Sequence, residues 1–139
     1  MIAVLAVIGL LVRDRLPVLA NDIRVGDCID QPTSIEVIVT LQHRPCGEPH
    51  DGEVVFVGDY PGLILTAYPG EASFTDFATE ECVPAFETYT GIALADAADL
   101  DLGFIYPQER GWTRGDHEVA CYLYRIDGGT ITGSRRAGG

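Results

Sequence analysis

Four widely spaced cysteines constrain the fold of this chain more than any other feature of its sequence. They are Cys28, Cys46, Cys82 and Cys121, and none belongs to a C-x-x-C pair. An even number of separated cysteines predicts two disulfides, for which three connectivities exist. We favour Cys28–Cys46 with Cys82–Cys121, because each bridge then closes a local unit of the chain. Buried free thiols and a metal site are the alternatives.

The first 20 residues indicate export. Residues 1–12 form an uninterrupted apolar run, which is shorter than the roughly 20 residues that a membrane-spanning helix needs. The run fits either a cleaved signal with small residues near Ala20, or the end of a longer anchor if the recorded start is too late. We therefore predict an anchor or signal segment at 1–20 and place the rest of the chain outside the cytoplasm.

Composition predicts one acidic domain and excludes several functions. The 139 residues carry 21 acidic and nine basic side chains, for a net charge of −12. Such a charge disfavours a nucleic-acid partner. All nine basic residues are Arg, so chemistry that depends on Lys is excluded. We predict a single domain over residues 21–134 and a flexible tail at 135–139.

Hydrophobic periodicity predicts an α+β fold: a small, mainly antiparallel sheet with one principal helix packed on it and two disulfides. The helix is expected to begin near Ser73 and Asp76, to be kinked or divided at Pro84 and to end at Gly91, with Cys82 on its buried face. An Asp-Gly-Gly turn at 127–129 predicts a hairpin that returns through 130–132. Strands are predicted at 34–42, 53–58, 103–106 and 118–126.

The residues around the cysteines form a set of short motifs. Val25-Gly26-Asp27-Cys28 is followed by the densest motif, PCGEPHDGEV at 45–54, and later by Tyr68-Pro69-Gly70-Glu71 and the Thr132-Gly133-Ser134 ending. This set, which covers nearly the whole chain after residue 24, resembles the septum formation domain family of exported, membrane-anchored bacterial proteins. The resemblance implies a role in division-septum or envelope processes and carries no enzymatic mechanism.

Cys46, His50 and Glu53 form the densest group of potentially reactive side chains. They could ligate a metal, or Cys46 could act as a nucleophile assisted by His50. We favour a structural interpretation, in which His50 and Asp51 hydrogen-bond the loop beside a disulfide. The Glu53 carboxylate is then partly buried and paired with His50 or with an Arg. No catalytic residue, metal site or cofactor is predicted.

Aromatic side chains provide the best candidate for a functional surface. Tyr122 and Tyr124 alternate with Cys121 along a predicted strand, so they lie on the face opposite to the disulfide. With Trp112 they could form a platform for a peptide or a glycan. The alternative is that the N-terminal strand or the loop of Trp112 packs over them.

These observations favour a non-enzymatic module outside the cytoplasm that binds a protein, peptide or cell-wall partner. The N-terminal segment, not the acidic domain, would hold it to the membrane. The alternative is a metal-dependent or hydrolytic enzyme that uses Cys46, His50 and Glu53. A thiol–disulfide oxidoreductase is disfavoured because the C-x-x-C motif is missing.

Overall fold

A computed structural model describes residues 15, 17–19, 22–31, 40–62 and 66–138 of the chain. Residues 1–14, which hold the predicted apolar segment, lie outside the described residues. So does the larger part of the strand predicted at 34–42.

The described residues contain a six-stranded sheet in which every neighbouring pair is antiparallel, as predicted. The strand order is β1-β3-β2-β4-β6-β5. The strands are β1 (Pro17–Leu19), β2 (Cys28–Ile29), β3 (Thr40–Arg44), β4 (Gly52–Asp59), β5 (Leu100–Ile105) and β6 (Glu118–Arg125).

Strand β4 lies in the middle of the sheet, between β2 and β6. Its register with β6 shifts between Val54 and Phe56. Glu53 lies opposite Leu123, and residues directly opposite each other in a sheet point to the same face. The carboxylate of Glu53 is therefore directed into the core that contains Leu123.

The principal helix, α1 (Glu71–Thr90), packs on one face of the sheet, and this confirms the α+β fold. Gly91 has a φ of 78° and ends the helix, as predicted, with its N–H donating to the carbonyl of Glu87. The buried residues of α1 recur at three- and four-residue spacing: Phe74, Ala78, Cys82, Phe86 and Tyr89.

Two details of α1 differ from the prediction. The helix begins at Glu71, directly after Gly70, so Ser73 and Asp76 lie inside it and do not cap it. Pro84 does not divide the helix, which continues to Thr90. A kink at Pro84 stays a prediction. Proline has no backbone N–H, so the carbonyl of Glu80 lacks its usual helical donor. Both Pro84 and Glu80 are exposed, so water can donate to this carbonyl.

Both predicted disulfides are present. Cys82–Cys121 joins α1 to β6 with 6.2 Å between the Cα atoms. Cys28–Cys46 joins β2 to the turn that follows β3, with 5.3 Å between the Cα atoms. A disulfide stabilises the fold by lowering the conformational entropy of the unfolded chain. By this measure Cys82–Cys121 contributes about 4 kcal/mol and Cys28–Cys46 about 3 kcal/mol.

The opposite face of the sheet carries a second, smaller core. This core contains Ile23, from the segment before β2, and residues of the strands, among them Leu41 on β3. Alternation along β6 separates the two cores, because Cys121 and Leu123 face α1 while Ala120 and Tyr122 face away from it.

The C-terminal residues do not form the predicted hairpin with β6. Ile131 instead exchanges two backbone hydrogen bonds with His50, at 2.9 and 2.8 Å. The chain then crosses the domain, where the N–H of Arg135 binds Glu53 and the N–H of Ala137 binds the carbonyl of Tyr89. Two residues of the predicted tail, Arg135 and Ala137, therefore donate to acceptors in the domain.

Two short helical segments complete the described residues: a 3-10 turn at Leu94–Asp96 and the helix α2 at Glu109–Trp112. None of the helices in the described ranges is long and apolar enough to cross a membrane.

Candidate functional site: a buried carboxylate centre and the cleft beside it

Glu53 is the centre of a buried polar group that four segments of the chain build together. Its side chain is 0% exposed. Atom Oε2 accepts hydrogen bonds from the hydroxyls of Tyr89, at 2.9 Å, and Ser134, at 3.0 Å. Atom Oε1 accepts from the backbone N–H of Arg135 at 2.8 Å. These partners come from α1 and from the C-terminal segment, 36 to 82 residues away in sequence.

His50 completes the carboxylate centre. Its Nδ1 lies 2.8 Å from the carbonyl oxygen of Glu48, which can only accept, so Nδ1 carries a proton. Its Nε2 lies 3.5 Å from Oε1 of Glu53. Burial lowers the pKa of His50, but the contacts with Glu53 and Glu48 outweigh it, and the pKa is raised overall. The charged imidazolium is therefore favoured opposite the carboxylate.

The hydrogen bonds keep Glu53 ionised in spite of its burial. Desolvation alone would raise the pKa of Glu53, but His50, the N–H of Arg135, Tyr89 and Ser134 lower it overall. Burial raises the pKa of Tyr89 to about 12, so its phenol stays protonated and donates. A general base near neutral pH needs a pKa close to that pH, and Glu53 is shifted away from it. The arrangement suits an ion pair that holds segments together.

One disulfide sulfur adjoins the same carboxylate centre. The ligand atoms of Cys28, His50 and Glu53 all lie within 4.8 Å of one another. A zinc ion in such a group would bind a thiolate, but Cys28 is bonded to Cys46. In the oxidised chain this group offers only His50 and Glu53, which is fewer than the three or four ligands of a zinc site.

A cleft of about 430 Å³ lies beside the carboxylate centre. Helix α1 contributes Glu81, Ala85 and Thr88 to its lining, and the C-terminal segment contributes Arg136 and Ala137. The guanidinium of Arg136 lies 5.2 Å from the ring centroid of Tyr89, a cation–π contact. Tyr89 lines the cleft while its hydroxyl binds Glu53, so the buried carboxylate helps to position this surface. The remaining lining residues are Val25, Val55 and Phe56.

An uncompensated acidic group lies at the other end of β4 and β6. Asp59 and Glu118 are directly opposite each other in the ladder, and Asp116 is close by in the chain. Burial, with repulsion from Asp116 and Asp59, raises the pKa of Glu118 to about 7. Its Oε1 is buried without a hydrogen-bond partner in the described residues. In contrast, both carboxylate oxygens of Glu53 accept hydrogen bonds.

Comparison with known proteins identifies the family. The family model described as septum formation matches residues 25–137, which is most of the chain and includes every residue of the carboxylate centre and the cleft. The chain belongs to the septum formation family. No curated protein and no solved structure matches it. The family assignment confirms the resemblance drawn from the cysteine motifs.

The structure places the motif residues of this septum formation domain as a structural group. His50 and Glu53 are buried and paired, while Cys46 is in the disulfide. Asp51 is half-buried, and its Oδ2 accepts from the N–H of Gln31 at 2.8 Å. The sulfur grouped with His50 and Glu53 is that of Cys28, whereas the sequence suggested Cys46.

The predicted aromatic platform is not an exposed surface. Tyr122 is only 6% exposed and lies in the second core with Ile23 and Leu41, so the N-terminal part of the domain packs over it. Tyr124 is half-buried at 6.0 Å from the Tyr122 ring. Trp112 is 1% exposed, stacks on His117 and donates its Nε1–H to the carbonyl of Thr66. These three side chains stabilise the packing of loops and strands.

Sequence reasoning missed the residues that link the carboxylate centre to the cleft. They are Tyr89, Ser134, Arg135 and Arg136. A signal was present for two of them, since Tyr89 falls on the apolar face of the predicted helix and Ser134 ends the Thr-Gly-Ser motif. Neither pattern indicates which distant acceptor a hydroxyl will reach.

Proposed function

We propose that this chain is a non-enzymatic envelope module that binds a protein, peptide or cell-wall partner outside the cytoplasm during septum formation. The family assignment supports a septum-related role. Two disulfides support an extracytoplasmic location, because such bonds persist in oxidising compartments.

The contrast between the buried group around Glu53 and the accessible cleft beside it supports the binding role. The densest group of potentially reactive side chains, around Glu53, is buried and bonded within the fold. The concave surface beside it has an accessible rim that includes Glu81, Thr88 and Arg136. Concave, partly apolar surfaces with a few charged groups are typical of binding sites. We therefore assign the partner site to the cleft, in place of the tyrosine face suggested by the sequence.

The enzyme alternative is less favoured for a chemical reason. Cys46 cannot act as a nucleophile while it is bonded to Cys28, and neither sulfur is a thiolate ligand in that state. The alternative would regain support if the oxidised, folded protein bound one equivalent of zinc and a His50→Gln variant that folds did not.

A pair of matched variants tests the binding role in cells. Thr88 and Thr75 are both exposed on α1, but only Thr88 lines the cleft. In a bacterium whose own copy is deleted, the Thr88→Arg variant is expected to fail to restore normal septum formation, whereas Thr75→Arg restores it. If both variants restore septum formation, the cleft is not the functional surface. Circular dichroism on both purified variants checks that they fold.

The tether is tested separately. An acidic domain is repelled by anionic headgroups, so we expect residues 1–20 to hold the protein at the membrane. Deletion of residues 1–14, which keeps Arg15 and strand β1 (Pro17–Leu19), with a replacement secretion signal, should release the domain into the soluble fraction. A domain that stays tightly bound after this deletion would contradict the proposed tether.

A further inference from the structure

We infer that Cys28, Cys46, His50 and Glu53 bind one zinc ion whenever the Cys28–Cys46 disulfide is open. The metal then holds together the segments that the disulfide joins in the oxidised chain. The site lies in the carboxylate centre and not in the cleft, so it does not depend on the binding role proposed above. Two features of the described residues support it: an unpartnered ring nitrogen of His50, and the spacing of the ligand atoms around that nitrogen.

The Nε2 atom of His50 is buried without a hydrogen-bond partner in the described residues. The side chain is 0% exposed, and Oε1 of Glu53, at 3.5 Å, is too distant for a good hydrogen bond. The other ring nitrogen, Nδ1, lies 2.8 Å from the carbonyl oxygen of Glu48, and this contact orients the ring. Zinc-binding histidines share this arrangement, in which one nitrogen donates to a carbonyl and the other faces the metal. His50 therefore has the surroundings of a metal ligand.

The ligand atoms of Cys28, His50 and Glu53 all lie within 4.8 Å of one another. Around a tetrahedral zinc ion, with bonds of about 2.0–2.3 Å, two ligand atoms are about 3.3–3.6 Å apart. The 3.5 Å between Nε2 of His50 and Oε1 of Glu53 matches this spacing, so a small shift of the sulfur completes three ligands. Cys46, which is bonded to Cys28 in the oxidised chain, supplies the fourth.

The surroundings of Glu53 suit a ligating carboxylate. Its Oε2 accepts from the hydroxyls of Tyr89 and Ser134, and its Oε1 accepts from the N–H of Arg135 and faces His50. Hydrogen bonds to a ligating carboxylate fix its orientation toward the metal. The three grouped residues are buried, so a zinc ion held by them is shielded from water, as in structural zinc sites.

The open state has a defined chemistry, because every newly made chain carries thiols before it is oxidised. Zinc binds as both thiols and Nε2 of His50 lose their protons. Oxidation reverses the binding: the two thiolates give two electrons to a disulfide oxidant, which takes up two protons and leaves as two thiols. The sulfur–sulfur bond replaces the two zinc–sulfur bonds. Zn²⁺ leaves with its oxidation state unchanged, and Nε2 of His50 regains its proton.

Two matched variants of the full chain test the site. Cys46→Ala opens one disulfide and leaves the thiol of Cys28 with its two partner ligands, and water can take the fourth position. Cys82→Ala opens the other disulfide and also leaves one buried thiol, Cys121, but in the apolar core. Each chain is titrated with Zn²⁺ in competition with a chromophoric chelator. We expect Cys46→Ala to bind one equivalent, and Cys82→Ala and oxidised wild type to bind none.

The same titration contains the results that would overturn the inference. Equal binding by the two variants would mean that any free thiol attracts zinc, and no binding by Cys46→Ala would exclude the site. Reduction of Cys82→Ala with a phosphine, followed by removal of the reagent, frees Cys28 and Cys46 and should give this control one equivalent of zinc. A reduced control that still binds none would also contradict the inference.

Cobalt identifies the ligands. Co²⁺ bound to Cys46→Ala should give a thiolate-to-cobalt charge-transfer band, and its absence would exclude Cys28 as a ligand. Addition of His50→Gln to this variant should abolish the bound equivalent, with circular dichroism as the check on folding. If His50→Gln prevents folding, the charge-transfer band decides. If Cys46→Ala is unfolded without metal, Zn²⁺ should restore its circular dichroism, and a chain that stays unfolded in excess zinc would refute the replacement of the disulfide by the metal.

Discussion

Glu53 and Glu118 lie on adjacent strands of one sheet, yet their pKa values are shifted in opposite directions. Glu53 is completely buried, and its pKa is lowered. Glu118 is half-buried, and its pKa is raised to about 7. Desolvation raises the pKa of both carboxyls. The depth of burial therefore does not decide the direction.

The difference comes from the groups that surround each carboxylate. Glu53 receives three hydrogen bonds, from Tyr89, Ser134 and Arg135, and adjoins His50. Glu118 adjoins other carboxylates, and its Oε1 has no partner in the described residues. The first site joins distant segments, whereas the second destabilises the fold when it is ionised.

Replacement of Glu53 tests the stabilising half of this comparison and has the largest expected effect. Glu53→Gln leaves His50 buried without its counter-charge and weakens two or three hydrogen bonds. We expect a loss of about 3–5 kcal/mol in the free energy of unfolding, measured by denaturant titration of the disulfide-intact protein. Glu87→Gln, on the exposed side of α1, is the control and should change stability by less than about 0.5 kcal/mol.

The pH dependence of the stability lost in Glu53→Gln follows from the pKa shifts of Glu53 and His50. The lowered pKa of Glu53 gives a contribution that is present above 4.5 and is lost as the pH falls through the folded-state value. The raised pKa of His50 gives a contribution that is present below 6.5 and is lost as the pH rises through its folded-state value. The difference between wild type and Glu53→Gln should therefore be largest between pH 4.5 and 6.5. A difference that does not vary with pH would contradict the ion pair.

Removal of one donor gives a smaller effect. Tyr89→Phe deletes the hydroxyl that binds the ionised Glu53, and we expect a loss of about 1.5–3 kcal/mol. Tyr68→Phe is the matched control, because its hydroxyl donates to the neutral carbonyl of Pro107 at 3.0 Å. That control should lose about 0.5–1.5 kcal/mol. Equal losses in denaturant titrations of the two variants would show that the charge of Glu53 adds nothing to the hydrogen bond.

Replacement of Glu118 tests the destabilising half and has the smallest expected effect. Because the pKa of Glu118 is raised, its protonated carboxyl contributes fully to the free energy of unfolding below pH 4.5. This contribution is lost as the pH rises through about 7. Glu118→Gln removes this loss, so the variant should be more stable than wild type at pH 8 by about 1–2 kcal/mol after solvent screening. At pH 4 the two proteins should be equally stable. Thermal unfolding at both pH values measures the difference, and a destabilised variant at pH 8 would contradict the repulsion.

Local patterns were sufficient for much of the fold. The spacing of apolar residues around Cys82 predicted the buried face of α1, and the alternation around Cys121 predicted the strand that faces it. Since both cysteines then point into one core, the Cys82–Cys121 disulfide followed from local structure. Such patterns work because each periodicity matches the geometry of one element.

The contacts of the candidate site could not be predicted from local sequence patterns. The sequence indicated that Glu53 would be partly buried and paired with His50 or an Arg, and the structure places His50 beside it. It left open whether Tyr122 and Tyr124 form an exposed platform or are covered, and the structure shows Tyr122 buried with Ile23 in the second core. Whether a strand face is covered depends on which distant segment packs there. The alternation of side chains along the strand is the same for a covered face and an exposed one.

The sequence by itself thus determined the α+β class, the two disulfides, the acidic charge and the family motifs. Only the tertiary structure decided that Ile131 pairs with His50, that Ser134 and Arg135 bind Glu53, and that Arg136 closes a cleft with α1. The physical reason is the length of chain between the partners, 81 and 82 residues for the contacts of Ser134 and Arg135 with Glu53. A buried carboxylate must find donors, but local sequence does not specify which distant groups the folded chain brings to it.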